Sequence, residues 1–123
     1  MIRPAIATDN PYFNASQFEK CGWKIDFQTA PESDNPTVQI SLFGNRILLG
    51  TKQHVSSSAI PYIGAGVQFH IIIPAENINE VYENHADFSP SELVKQPWGE
   101  FGFMFMAQGF KFMVLADSEP PHM

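Results

Sequence analysis

Residues 38–43 read VQISLF and residues 46–51 read RILLGT, with only Gly44 and Asn45 between them. Two runs rich in β-branched and aliphatic residues around a two-residue Gly-Asn connection predict a tight hairpin, because those two residues tolerate the positive φ such a turn demands. Working upstream, residues 30–36 hold two prolines and Ser-Asp-Asn and predict a loop. Before it, residues 23–29 place Trp23, Ile25 and Phe27 at period two, the spacing of a strand with one buried face. Asn10-Pro11 predicts a helix start: the Asn side chain can accept from an orphan amide, and proline at the first helical position loses no bond it needed. The helix would carry Phe13, Gln17 and Phe18 on overlapping turns and stop at Gly22. With an opening strand at residues 2–8, the first half reads β-α-β-β-β.

Downstream, residues 53–66 have the composition of a linker, with Ser56-Ser57-Ser58, Pro61 and Gly64-Ala65-Gly66. The order then restarts: a strand at 67–73, a short helix at 76–84 with Ile78, Val81 and Tyr82, a loop at 87–90, and strands at 92–95, 100–106 and 110–116, the last two joined at Gln108-Gly109. A repeat of this length is too long for a solenoid and indicates module duplication. The expected fold class is α+β, with two tandem βαβββ modules whose curved mixed sheets surround a cavity. Residues 1–123 would form a single domain: module one 1–52, linker 53–66, module two 67–117 and a frayed tail 118–123.

Composition agrees with one globular domain. The 123 residues are 44% hydrophobic and 16% charged, enough to bury a core and too apolar for disorder. Cys21 is the single cysteine, so an internal disulfide is impossible and a reducing, cytoplasmic setting is expected. No apolar run reaches the length of a signal core or a membrane span. The net charge of -6 would repel a phosphate backbone, which makes nucleic acid a poor partner. Residues 1–69 balance five acids against five bases, whereas the rest of the chain holds eight acids and only Lys95 and Lys111. Such a field either serves solubility or draws in a cationic ligand.

The sequence FEKCGWKIDF (residues 18–27) after the first helix, NINEVYENH (77–85) in the second and QPWGEFGFMFMAQGFKFMVL (96–115) at the end, set in two βαβββ modules, resemble the vicinal oxygen chelate superfamily. That superfamily includes glyoxalase I, extradiol dioxygenases, fosfomycin-resistance enzymes and bleomycin resistance proteins, and the resemblance spans nearly the whole chain. It implies half-barrel sheets enclosing a ligand cavity. It also implies a metal site of His, Glu, His and Glu, one from the first and last strand of each module. Carried onto this chain, those positions fall on Ile2 or Arg3, Leu49, His70 and Met113, so only His70 is retained.

A lone imidazole does not hold a divalent ion, which needs about three protein donors. His54, His85 and His122 lie in the linker, past the second helix and in the tail. The resemblance therefore implies no cofactor here and a mostly apolar cavity. Strand alternation puts Gln68, His70 and Ile72 on one face of the 67–73 strand and Val67, Phe69, Ile71 and Ile73 on the other. By the same alternation Ile47 with Leu49, and Met113 with Leu115, would face the cavity, with Lys111 toward one mouth. His70 reads either as a polar handle or as a structural histidine bonded to a carbonyl. Trp98, in the Pro-Trp-Gly turn, would either stack on a flat ligand or plug the module's edge. Cys21 has no base nearby and reads as buried filler. Phe101, Phe103 and Phe105 alternate with Met104 and Met106, so both faces of that strand are apolar, as in a core strand that also meets a second subunit.

The expected function is that of a metal-independent small-molecule binding and sequestering protein resembling the bleomycin resistance proteins. It would be a homodimer taking a cationic aromatic molecule through Gln68, His70, Leu49, Met113, Trp98 and Lys111. The alternative is a metal-dependent superfamily enzyme, a lyase, dioxygenase or glutathione-dependent transferase, built around His70.

Overall fold

A computed structural model describes residues 2–120; Met1 and residues 121–123, including His122, lie outside the described residues. The chain divides between Ile63 and Gly64 into two compact units. Of the tail expected from residue 118, Ser118 and Glu119 are exposed and Pro120 is buried.

The first unit contains β1 (Ala5–Thr8), α1 (Pro11–Lys20), β2 (Lys24–Gln28), β3 (Val38–Leu42) and β4 (Asn45–Thr51). These form a mixed sheet in the order β1-β4-β3-β2. β4 lies parallel to β1, with Ala5 opposite Leu48, and antiparallel to β3. A parallel pair cannot be closed by a hairpin, and α1 opens the crossover that returns the chain to β1. The Asn10 side chain caps α1 by accepting from the Phe13 amide at 3.2 Å, with Pro11 just inside the helix. Phe18 and Trp23 meet edge to face at 5.2 Å and are both buried, whereas Phe13 is exposed, so only Phe18 of the expected pair anchors the helix.

Two local features depart from the sequence expectation. The hairpin turn is Phe43-Gly44, one residue earlier than Gly44-Asn45, with φ of 47° and 82°. Asn45 instead opens β4, and its side-chain amide donates to the Leu42 carbonyl at 2.9 Å. β2 carries a bulge between Ile25 and Phe27. An extra residue breaks period two, so Ile25 pairs with Ile40 on the buried row while Phe27 pairs with Gln39 on the open one and is half exposed.

The second unit repeats the plan with β5 (Gln68–Ile73), α2 (Ile78–Asn84), β6 (Val94–Lys95), β7 (Phe101–Ala107) and β8 (Phe110–Ala116), in the order β5-β8-β7-β6. Its closing turn is Gln108-Gly109, with φ of 53° and 84°, matching Phe43-Gly44 in the first unit. Short 3-10 turns at Ala75–Asn77 and Ala86–Phe88 flank α2. Gly102 is required by packing: a Cβ there would lie 2.0 Å from the Val114 carbonyl oxygen and 3.0 Å from the Leu115 Cα.

The core of the second unit is aromatic. Phe105 stacks on Phe112 at 4.9 Å and 5° and on Phe88 at 4.9 Å, and Phe103 meets Tyr82 edge to face at 5.1 Å. His85 is fully buried among them, 5.0 Å from the Phe105 ring and 5.7 Å from that of Phe103. Its Nδ1–H donates to the Val81 carbonyl at 2.7 Å. Burial holds its pKa below the ordinary 6.5, and the bond to Val81 opposes that only in part.

The consequence for stability has a definite sign. Above about pH 6.5 His85 is neutral in folded and unfolded chains alike; below it the unfolded chain takes up a proton that the folded core resists, and stability falls. Chemical denaturation followed from pH 7.5 to 5 should show this loss, and a His85→Gln variant, weaker at pH 7.5, should show a flatter dependence over that window. Equal slopes in the two proteins would remove His85 as the cause.

Candidate functional site

The sheet register of the second unit sets out its open face in three rows. Gln68, Lys111 and Met106 form one, His70, Met113 and Met104 the next, and Ile72, Leu115 and Gly102 the third. The opposite face carries Phe69, Ile71, Phe112, Phe103 and Phe105 and is the aromatic core. Alternation along β5 thus places Gln68 and His70 together on the side away from the core, and the parallel register sets His70 directly beside Met113.

Trp98 completes this face. Its turn is closed by the Gly99 amide donating to the Gln96 carbonyl at 2.9 Å, at the edge of the sheet opposite β5. Nevertheless its ring lies 6.1 Å from that of His70, nearly parallel at 15°. Contact between residues rooted at opposite edges of a four-stranded sheet requires the sheet to curl with its open face inward and the indole to lean across it. The ring lies over His70 and remains 53% exposed. The indole N–H donates to Glu100 Oε1 at 2.7 Å, which fixes the ring and sets a carboxylate at its rim. At one end of the face a cleft of about 430 Å³ is lined by Gly66, Gln68, Met106 and Lys111. A smaller one of about 170 Å³ lies by Lys95, Glu100, Asp117 and Glu119.

The first unit differs from the expected apolar surface. Register puts Leu49 with Ile6 and Val38, and Ile47 with Ile40, all buried. α1 packs on this sheet, and this is the row it covers. The expectation that Leu49 and Ile47 line a cavity is therefore corrected: the open-face residue of β4 is Leu48, with Ala5 beside it. Around them is a polar network that the sequence reading missed. Arg3 donates to Gln39 Oε1 at 2.9 Å, Gln39 donates to Asp26 Oδ2 at 2.9 Å, and the Ser41 hydroxyl donates to Asp26 Oδ1 at 3.0 Å. The bond from Gln39 leads in holding the Asp26 carboxyl below its ordinary pKa. Alternation from Ile25 puts Asp26 on this face, and the bulge turns Phe27 to it as well. A cleft of about 260 Å³ nearby is lined by Ala7, Thr37, Leu48, Gly50 and His54.

The repeat also corrects the metal-ligand positions. The pair His70–Met113 in the second unit corresponds to Ala5–Leu48 in the first, since each pair joins first and last strand at the same distance from the closing turn. Ile2, Arg3 and Leu49 are not the equivalents. Alanine and leucine supply no donor, and among the described residues no three His, Cys, Asp or Glu side chains converge to hold a metal ion. The divalent centre implied by the resemblance does not fit these residues. Cys21 is buried at the end of α1.

No family model and no curated protein matches the sequence. Solved structures do. A bleomycin-binding protein complexed with bleomycin superposes with a TM-score of 0.67 at 11% identity, over 96% of this chain and 98% of that one. The fosfomycin resistance protein FosX from Listeria monocytogenes, complexed with Mn(II) and a dihydroxypropylphosphonic acid, gives 0.68 at 10% identity over 96% and 92%. A member of the glyoxalase/bleomycin resistance protein/dioxygenase superfamily from Sphaerobacter thermophilus gives 0.64 at 16% identity over 94% of both chains. The fold is that of the glyoxalase/bleomycin resistance protein/dioxygenase superfamily, the vicinal oxygen chelate fold.

Thermal melts with tenfold excess Zn(II), Mn(II) or Ni(II), and with EDTA, should leave the transition temperature unchanged, because only a species that binds the native state raises it. A divalent-ion stabilisation abolished by His70→Ala would instead place such an ion at His70.

Proposed function

We propose that this chain is a small-molecule binding and sequestering protein of the glyoxalase/bleomycin resistance type, working without the superfamily's divalent metal. Its ligand is a cationic aromatic molecule held against the open face of the second unit. The observation that carries this reading is the Trp98–His70 ring pair with Glu100 bonded to the indole. A flat cation gains from the electron-rich face of an indole and from a carboxylate beside it, and the surrounding second half of the chain carries the whole net negative charge. Gln68 and Lys111 supply hydrogen-bonding groups at the cleft end, and Met113 gives an adaptable apolar floor. Leu49 is not included, being covered by α1.

The working assembly is a homodimer in the cytoplasm. Met106, Ile72 and Val94 leave large apolar side chains exposed on the second unit, surface that association would bury. Among the described residues no helix is long and apolar enough to cross a membrane. A bleomycin-binding structural neighbour supports a small-molecule role.

Titration of a panel of cationic, neutral and anionic aromatics by calorimetry tests the assignment. Cationic members should bind best, more weakly at 0.5 M than at 0.05 M salt, and Trp98→Ala should lower their affinity by about three- to thirtyfold. Light scattering should give twice the 13.8 kDa chain mass. Equal binding of anionic and cationic members, or binding indifferent to Trp98→Ala, would overturn the reading.

A further inference from the structure

The row His70–Met113–Met104 has a chemistry of its own. Each residue sits on a different strand, β5, β8 and β7, at directly opposed register positions and on one face. Adjacent strands lie about 4.8 Å apart, so the three side chains rise side by side. The inward curl shown by the Trp98–His70 contact brings their tips closer than their backbones. Both methionines have three rotatable bonds with which to aim their sulfurs. Residues carrying one imidazole and two thioethers thus stand in a single row, with an indole over the imidazole.

We propose that this row is a binding site for a soft monovalent ion, Cu(I), with His70, Met113 and Met104 as ligands and the Trp98 ring against the open side of the ion. Thioethers are soft, neutral donors that select Cu(I) over harder divalent ions, and a nitrogen with two sulfurs completes a three-coordinate shell. The Trp98 centroid is 6.1 Å from that of the imidazole, which sets an indole face beside the row for a cation–π contact. Met113 is 5% exposed whereas His70 is open, so the ion would arrive through the imidazole and settle onto sulfur. This site goes beyond the small-molecule reading and does not depend on it.

The test is an anaerobic titration of the full chain with Cu(I) against the chromophoric chelator bicinchoninate, with Ag(I) as the redox-inert probe. One ion per chain is expected, with quenching of tryptophan emission that disappears in Trp98→Phe, since Trp23 is buried in the other unit. Met113→Leu and Met104→Leu, which conserve volume and keep the fold, should each weaken Cu(I) binding at least tenfold, as should His70→Ala. Met106→Leu, one row away, and Cys21→Ser should change it less than twofold. In the unsubstituted protein, Ag(I) should shift the ε-methyl carbon resonances of Met104 and Met113 and leave that of Met106 in place. No stoichiometric binding, binding retained in the Met104→Leu, Met113→Leu double variant, or loss on Cys21→Ser would overturn the site. Organic-ligand binding measured without copper stands or falls separately.

Discussion

The parallel pairing of first and last strand in each unit, β1 with β4 and β5 with β8, is the constraint on which the remaining structure rests. It inserts the last strand between the first strand and the hairpin that precedes it, so the sheet cannot form as a simple meander. The connection must cross over, and the helix placed early in it covers one face of the sheet. The opposite face is the one these helices leave uncovered. Register in this pair also fixes partners: it is the parallel ladder, and no feature of β5 alone, that sets His70 beside Met113.

Curvature follows from local choices that agree with that pairing. Gly102 lets β7 approach the backbone of β8 where any Cβ would collide with the Val114 carbonyl. The Gln108-Gly109 turn has positive φ at both residues, which keeps the twist of β7 and β8 continuous through the connection. The curl allows Trp98 to reach His70 from the far edge, and Glu100 holds the indole by its N–H. On the other side of the sheet, stacked phenylalanines and neutral His85 fill the space under α2 with nearly no polar atom except one satisfied imidazole. The face that carries the Trp98–His70 ring pair and the two methionines is therefore backed by a close-packed aromatic layer.

The two units have diverged in what their open faces offer. Where the second has His70, Met113 and Met104, the first has Ala5, Leu48 and a hydrogen-bonded series from Arg3 through Gln39 to Asp26 and Ser41. Ala5, Leu48 and Met113 offer no carboxylate, which accounts for the poor fit to a hard divalent ion. The second unit's face is softer and more aromatic than that of the first.

Much of the architecture was legible in the sequence because it rests on short-range physics. Asn10-Pro11 begins a helix by capping, VQISLF and RILLGT pair because only two residues separate them, and alternation in residues 67–73 separates Phe69 and Ile71 from Gln68 and His70. Features set by one inserted residue were not legible: the bulge at Asp26 reverses the face of Phe27, and the turn slips from Gly44-Asn45 to Phe43-Gly44. Leu49 was misplaced for a related reason. Leu48 and Leu49 are chemically equivalent to a pattern reading, and only the ladder to Ala5 and Ile6 decides which of them α1 covers. The sequence by itself thus determined the βαβββ repeat, since it depends on residue identity and local order. The tertiary structure alone decided that Trp98 meets His70 and that Met104, Met113 and His70 share a row, because contacts between residues distant in the chain are fixed by sheet order and curl, which local periodicity does not encode.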